Sequence, residues 1–218
     1  MTWQNLLLGI LAGGALAPAV PFLMARSVTS AAPRPRAFLA ELLVIAAAVV
    51  VLAQPWTFFV TMAWLGYVPV AVALVFIDLR EKRLPNVLTL WSAAGVTLLL
   101  AIDAVLHGWS PWLEGLASGA TLFTIYLLMN LLTGGAMGMG DVKLALAIGV
   151  LAGYLGWFHV LLATLIAFMV GGLVSAVLLV TKRAGRKSTM PFGPFMLFGL
   201  ILVVPCYTAL HDYLVVAG

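Results

Sequence analysis

The sequence predicts an all-α bundle of about eight transmembrane helices, forming a single membrane domain over residues 1–218, and three observations carry the prediction. Hydrophobic residues make up 64% of the chain and charged residues only 8%, against about 25% in a soluble domain. A soluble chain of this composition would lack the polar groups to cover its surface, whereas lipid accepts an apolar surface. The apolar residues also gather into runs near the length of a bilayer crossing. Finally, the basic residues fall only in alternate connections between those runs.

The first run spans Asn5 to Met24. It carries Ala15-Leu16-Ala17, a conceivable signal-peptidase site, but no Lys or Arg precedes it, so a retained span is expected. The following runs are Ala37 to Ala53, Thr57 to Ile77, Val87 to Leu106 and Leu113 to Leu132. Val142 to Leu155 is short, Phe158 to Val180 is long, and Phe195 to Leu210 closes the series. Each is read as helix, because lipid supplies no partner for open backbone groups. The linker-like stretch is Ser27 to Arg36, with Pro33 and Pro35.

All 11 basic residues sit in four places. Arg26, Arg34 and Arg36 follow the first run, and Arg80, Lys82 and Arg83 follow the third. Lys143 follows the fifth, and Lys182, Arg183, Arg186 and Lys187 follow the seventh. The positive-inside rule puts these connections in the cytoplasm and both termini outside. One miscounted span would have moved later groups to the other face, so their agreement supports the count. The net charge of +4 is thereby assigned to topology, with the lipid bilayer as partner and no nucleic acid. Trp56, Trp109, Trp112 and Trp157 fall in the opposite connections, where an interfacial aromatic belt is expected. Gly149, Gly153, Gly171 and Gly172 are placed for close helix approach.

Cysteine chemistry is restricted. Cys206 is the single cysteine, so no thiolate zinc site forms within the chain. His107, His159 and His211 have no ligand spacing and read as polar residues at helix ends. No metal and no cofactor is expected.

The seven acidic residues decide the chemistry. Glu114 and Asp212 read as solvated. Asp103 and Glu41, near the ends of their runs, read as snorkelling or locally hydrogen-bonded groups. Asp78 ends one apolar run and Asp141 opens another, so both lie at the basic mouth of the bundle and at similar depth. Two carboxylates about 5 Å apart in an effective dielectric of about 20 repel by ~3 kcal/mol, enough for the pair to keep one proton near neutral pH. Such a pair contains an acid and a base, which together activate water and protonate a leaving amine. Gly138 and Gly140 before Asp141 permit positive φ and close approach of an extended substrate backbone.

Three motifs then carry a resemblance: Leu84-Pro85-Asn86 shortly after Asp78, Gly138-Met139-Gly140-Asp141-Val142-Lys143-Leu144, and Met190-Pro191-Phe192-Gly193-Pro194-Phe195. In this order they resemble the type IV prepilin peptidases, membrane aspartyl peptidases of the Gly-x-Gly-Asp type. The resemblance is strong from Asp78 to Gly199 and weak over residues 1–56, leaving 57–210 as the peptidase core. It implies that Asp78 and Asp141 are the catalytic pair. It implies that Pro85, Asn86, Gly138, Gly140, Lys143, Pro191, Gly193 and Pro194 shape the site or bind substrate. The implied substrate is a prepilin or pseudopilin, whose basic leader is removed at the cytoplasmic face of the inner membrane. Pilus or secretion assembly proteins are further implied partners. Lys143 or Arg83 is expected to pair with the acidic residue that pilins carry early in the mature chain. Many bacterial members have two Cys-x-x-Cys pairs in a larger segment after the first span and also methylate the new N-terminus. Here that segment is short and lacks cysteine, so methyl transfer is not expected.

Other classes remain open at this point. A proton-coupled transporter would place its carboxylates near the midplane, often in repeated halves, and no repeat is visible. A non-catalytic scaffold would need neither aspartate. A presenilin-like enzyme would share Gly-x-Gly-Asp but not the residues that follow Asp78 and Asp141.

Overall fold

In the computed structural model the chain is described over residues 3–27, 37–135, 137–182 and 190–217, the side chains of 37 and 208–217 excepted. The helices are α1 (Trp3–Leu16), α2 (Ala19–Ser27), α3 (Ala37–Leu52), α4 (Phe58–Glu81), α5 (Asn86–His107), α6 (Ser110–Leu132), α7 (Met139–Tyr154), α8 (Trp157–Val180) and α9 (Gly193–Ala217). Arg34, Arg36, Arg183, Arg186, Lys187, Pro33 and Pro35 lie outside the described residues, as do the side chains of His211 and Asp212.

All eight predicted runs are helical, and the chain is a multi-pass membrane protein. The first run is split into α1 and α2 by a turn at Ala17-Pro18, where the proline ring cannot continue the ladder. Counted across that turn, Trp3–Ser27 is long and apolar enough to cross a bilayer, as are Phe58–Glu81, Asn86–His107, Ser110–Leu132 and Trp157–Val180. Phe38–Leu52 and Gly193–Tyr207 are apolar but shorter.

The short sixth run became α7, 16 residues long, which at 1.5 Å per residue is about 24 Å. Its length has a reason. Residues Ala147 to Gly153 are all buried, because α5, α6, α8 and α9 pack around this helix. A helix encased in protein does not have to match the hydrocarbon thickness. Its tightest neighbour is α6. A Cβ on Gly149 would stand 2.5 Å from Gly119 Cα, so bare backbones make this contact. The Ser118 hydroxyl, 2.8 Å from the Gly149 carbonyl, adds a hydrogen bond across it. Gly171 also admits a close neighbour, Phe192, whereas Gly172 faces open space.

At the end where α4 starts and α7 stops, Asp103 of α5 is 2% exposed. Its carboxylate accepts from Thr57 Oγ1 and from Tyr154 OH, each at 2.5 Å, and lies 3.1 Å from His107 Nδ1. Asp103 therefore does not snorkel; it ties three helices together. Asp103→Leu removes the shared acceptor of two half-buried hydroxyls, at up to about 1–3 kcal/mol for each group left unsatisfied. A clear fall in the thermal midpoint in detergent is expected, and an unchanged midpoint would count against the tie.

The aromatic belt is only partly present. Trp109 and Trp157 are well exposed. Trp56 turns inward and stacks on Trp64 with centroids 5.2 Å apart, and Trp112 donates to the Thr97 carbonyl at 3.1 Å. His159 lies in the first turn of α8, at a helix end as read from the sequence, and is buried beside Tyr207. Glu41 is exposed on α3.

Candidate active site

Three connections meet at the other end of the bundle. Asp78 lies in the last turn of α4, just before Lys82 closes the helix with a left-handed φ of 50°. Asp141 lies in the first turn of α7. Gly193 begins α9. Its N–H donates to Asp78 Oδ2 at 3.1 Å and also faces the Asp141 carboxylate. The two carboxylates are near enough for their charges to interact. Asp78 is 3% exposed and Asp141 7%. The pair is therefore largely withdrawn from water, yet sits where helices end and polar connections begin. A water molecule held between two such groups can lose a proton to one while the other supplies a proton.

Bare backbone is required at Gly193. A Cβ there would lie 2.8 Å from Asp78 Oδ2 and 3.4 Å from Leu84 Cδ1. Of the two properties these glycines permit, Gly138 and Gly140 use close approach and not positive φ. Gly138 has φ −66° and caps α7, while Gly140 is already helical. The left-handed turns fall earlier, at Gly134 (φ 64°) and Gly135 (φ 86°). A Cβ on Gly138 would sit 3.3 Å from Asp141 Oδ2, and one on Gly140 2.8 Å from Leu84 Cβ.

Pro85 is the N-cap of α5 and Asn86 its first residue. Asn86 Oδ1 accepts from Lys143 Nζ at 2.7 Å, which joins two of the predicted site residues directly. Arg83, the other cation considered for substrate, is 2.7 Å from Glu81. Pro191 precedes α9 and Pro194 lies in its first turn, with the Phe192 carbonyl accepting from Phe195 and Met196. Phe192 is anchored against Phe168, with ring centroids 5.1 Å apart.

Three further residues belong here. Leu84 is buried between Gly140 and Gly193 and spaces the two approaches. Tyr126 of α6 is buried and within electrostatic reach of Asp141. The Asn130 amide donates to the Met137 carbonyl, holding the glycine-rich connection to α6. Leu84 stood inside a quoted motif, but an isolated Tyr or Asn in an apolar run gives no hint of the loop it faces.

Residues 59–176, more than half of the chain, match the model of the Type IV leader peptidase family. The match contains both aspartates and stops before Gly193. A prepilin leader peptidase/N-methyltransferase of Xanthomonas campestris pv. campestris is 31% identical over 186 residues, 82% of this chain and 63% of that protein. One of Aeromonas hydrophila is 32% identical over 137 residues, 62% of this chain and 46% of that protein. One of Legionella pneumophila is 29% identical over 143 residues, covering 61% and 46%. The chain thus spans about half to two thirds of the length of these relatives. No solved structure gives a significant match.

Proposed function

Because the chain belongs to the type IV leader peptidase family, we propose that it is an aspartyl endopeptidase that removes the basic leader from a prepilin or pseudopilin. The single observation that carries the mechanism is the Gly193 N–H facing two buried carboxylates.

In this mechanism one of Asp78 and Asp141 is ionised and the other protonated when a water lies between them. The ionised carboxylate takes a proton from the water as its oxygen attacks the scissile carbonyl. The protonated carboxyl hydrogen-bonds the carbonyl oxygen as negative charge develops there. As the tetrahedral species collapses, the C–N bond breaks and a proton passes to the leaving amine, which becomes the N-terminus of the mature chain. The proton count balances across hydrolysis, and the dyad supplies both transfer roles. Burial strengthens these interactions, because little water competes for the charges. Gly193 holds Asp78 in place, and the Lys143–Asn86 bond ties the start of α7 to the start of α5 beside it.

The proposal places the site at the cytoplasmic face of the inner membrane, with both termini outside. Arg80, Lys82, Arg83 and Lys143 gather at the aspartate end, which supports that orientation by the positive-inside rule. The methyltransferase activity in the relatives' names is not part of the proposal. Co-expression with a tagged prepilin, followed by intact mass of the pilin, tests the reading. Loss of the leader mass is expected. A methyl group on the new N-terminus would extend the activity, and uncut pilin across several prepilins, with the protein inserted, would overturn it.

A further inference from the structure

Two side chains in the middle of α4 are buried without hydrogen-bond partners. Trp64 is 2% exposed and Tyr67 3%, and neither Trp64 Nε1 nor Tyr67 OH is paired. Buried donors are nearly always satisfied, and leaving one unsatisfied costs about 1–3 kcal/mol. Both residues line the same groove, about 210 Å³ in volume, between α3, α4 and α9. Its other walls are apolar, with Leu43 and Ala47 on α3, Ala71 and Val75 on α4, and Pro194 and Leu197 on α9. It exists because α3 packs chiefly on α1 and only sparsely on α9.

The lining of the groove reaches close to the carboxylates along the chain. Val75 is less than one turn from Asp78, and Pro194 directly follows the glycine whose N–H binds Asp78. From Asp78, Tyr67 is about 16 Å and Trp64 about 21 Å along the helix at 1.5 Å per residue. From Val75 to Trp64 the lining thus runs about 16 Å along α4, about half of a hydrocarbon core about 30 Å thick. Its occupant must be apolar and must extend along the membrane from near the reacting bond, and an acceptor on it at mid-membrane depth would satisfy a donor that is closed off from the groove until its ring turns. An acyl chain meets the first demand but has no acceptor there. A helix bearing one polar side chain meets both demands and supplies the acceptor, and helices in lipid pair through such bonds.

We propose that this groove seats the transmembrane helix of the substrate, and that an acceptor on that helix, about 11–14 residues beyond the scissile bond by the same rise, pairs with Tyr67 OH or Trp64 Nε1 after a small ring rotation. The proposal rests on the leader-peptidase reading and extends it to how the mature part of the substrate is held.

The test uses the full chain in liposomes with a tagged prepilin. Ala71→Trp fills the groove, and Ala120→Trp on the exposed face of α6 is the control. Ala71→Trp is expected to raise KM at least tenfold with kcat little changed, and Ala120→Trp to change neither. Tyr67→Phe keeps the ring and removes the donor, and Trp64→Phe removes the donor with a smaller aromatic ring in its place. One of them is expected to raise KM several-fold for a substrate carrying the acceptor, and to have no effect once that acceptor is replaced by Leu. A second readout does not depend on cleavage. In a Cys206→Ser background, Ala71→Cys should form a disulfide with a cysteine placed about seven residues into the mature substrate, the spacing of Ala71 from Asp78 along α4. Wild-type kinetics in Ala71→Trp, or no crosslink, would overturn the groove assignment; a bound acyl chain that prepilin does not displace would do the same. Absence of cleavage by the wild type would instead overturn the peptidase reading, with the crosslink still deciding whether the groove holds a helix.

Discussion

Asp78→Asn and Asp141→Asn each leave a co-expressed prepilin at its precursor mass, with the cleavage rate down on the order of 10⁴-fold, the upper range for one general acid or base. Asparagine nearly matches aspartate in shape and still accepts from the Gly193 N–H, so the local geometry should survive. It can neither take a proton from water nor return one. Each substitution also removes a carboxylate from a pair whose charges interact, so the thermal midpoint should hold or rise. Intact mass and a melting curve on the same preparations separate the two effects. Lost cleavage with a retained midpoint assigns the chemistry to the carboxylates. Wild-type cleavage in either variant would remove that residue from the mechanism, and wild-type behaviour in both would restore the scaffold reading.

Gly193→Ala carries the next largest effect, about 10²-fold in kcat/KM, the scale of a 1 Å misplacement in an active site. The added methyl would lie 2.8 Å from Asp78 Oδ2 and 3.4 Å from Leu84 Cδ1. The carboxylate has to yield, and its displacement breaks the alignment that the N–H bond at 3.1 Å maintains. Gly172→Ala on α8 is the matched control, since a Cβ there meets nothing within 4 Å. The control is expected to cleave like wild type. Equal rates for Gly193→Ala and Gly172→Ala would show that Asp78 tolerates the methyl and that the tight approach at α9 has no catalytic consequence.

The helices were legible because lipid forces apolar residues into runs and backbones into helices, and the placement of Lys and Arg checked the count. The turn at Pro18 was missed because the residues on both sides are apolar and hydropathy reads through a break. The length of α7 could be read, but its central position could not, since that depends on small residues of α6 meeting Gly149 and Gly153. Asp78 and Asp141 stood out by type and depth. That their charges interact, and that Gly193 bonds Asp78 from 115 positions away, is tertiary information. Gly193 was picked out only through its motif, because a backbone N–H leaves no mark on a sequence. Asp103 was read as a locally satisfied or snorkelling group, because its main partners, Thr57 and Tyr154, lie on other helices. The positive φ that Gly138 and Gly140 would permit is used instead at Gly134 and Gly135, where the chain reverses.

The carboxylate of Asp103 has a mechanical consequence. It laces the start of α4, the end of α5 and the end of α7 at the end of the bundle away from Asp78 and Asp141. At the aspartate end the Lys143–Asn86 bond and the short connection from Glu81 to Asn86 hold the same three helices, so α4, α5 and α7 form a frame braced at both ends. Any sideways parting that admits another helix then falls outside the frame, on the side of α3 and α9 where the groove lies. Loosening the Asp103 brace slackens the frame, so it acts on how stiffly the three helices stand and leaves the proposed proton transfers between the two aspartates as they were.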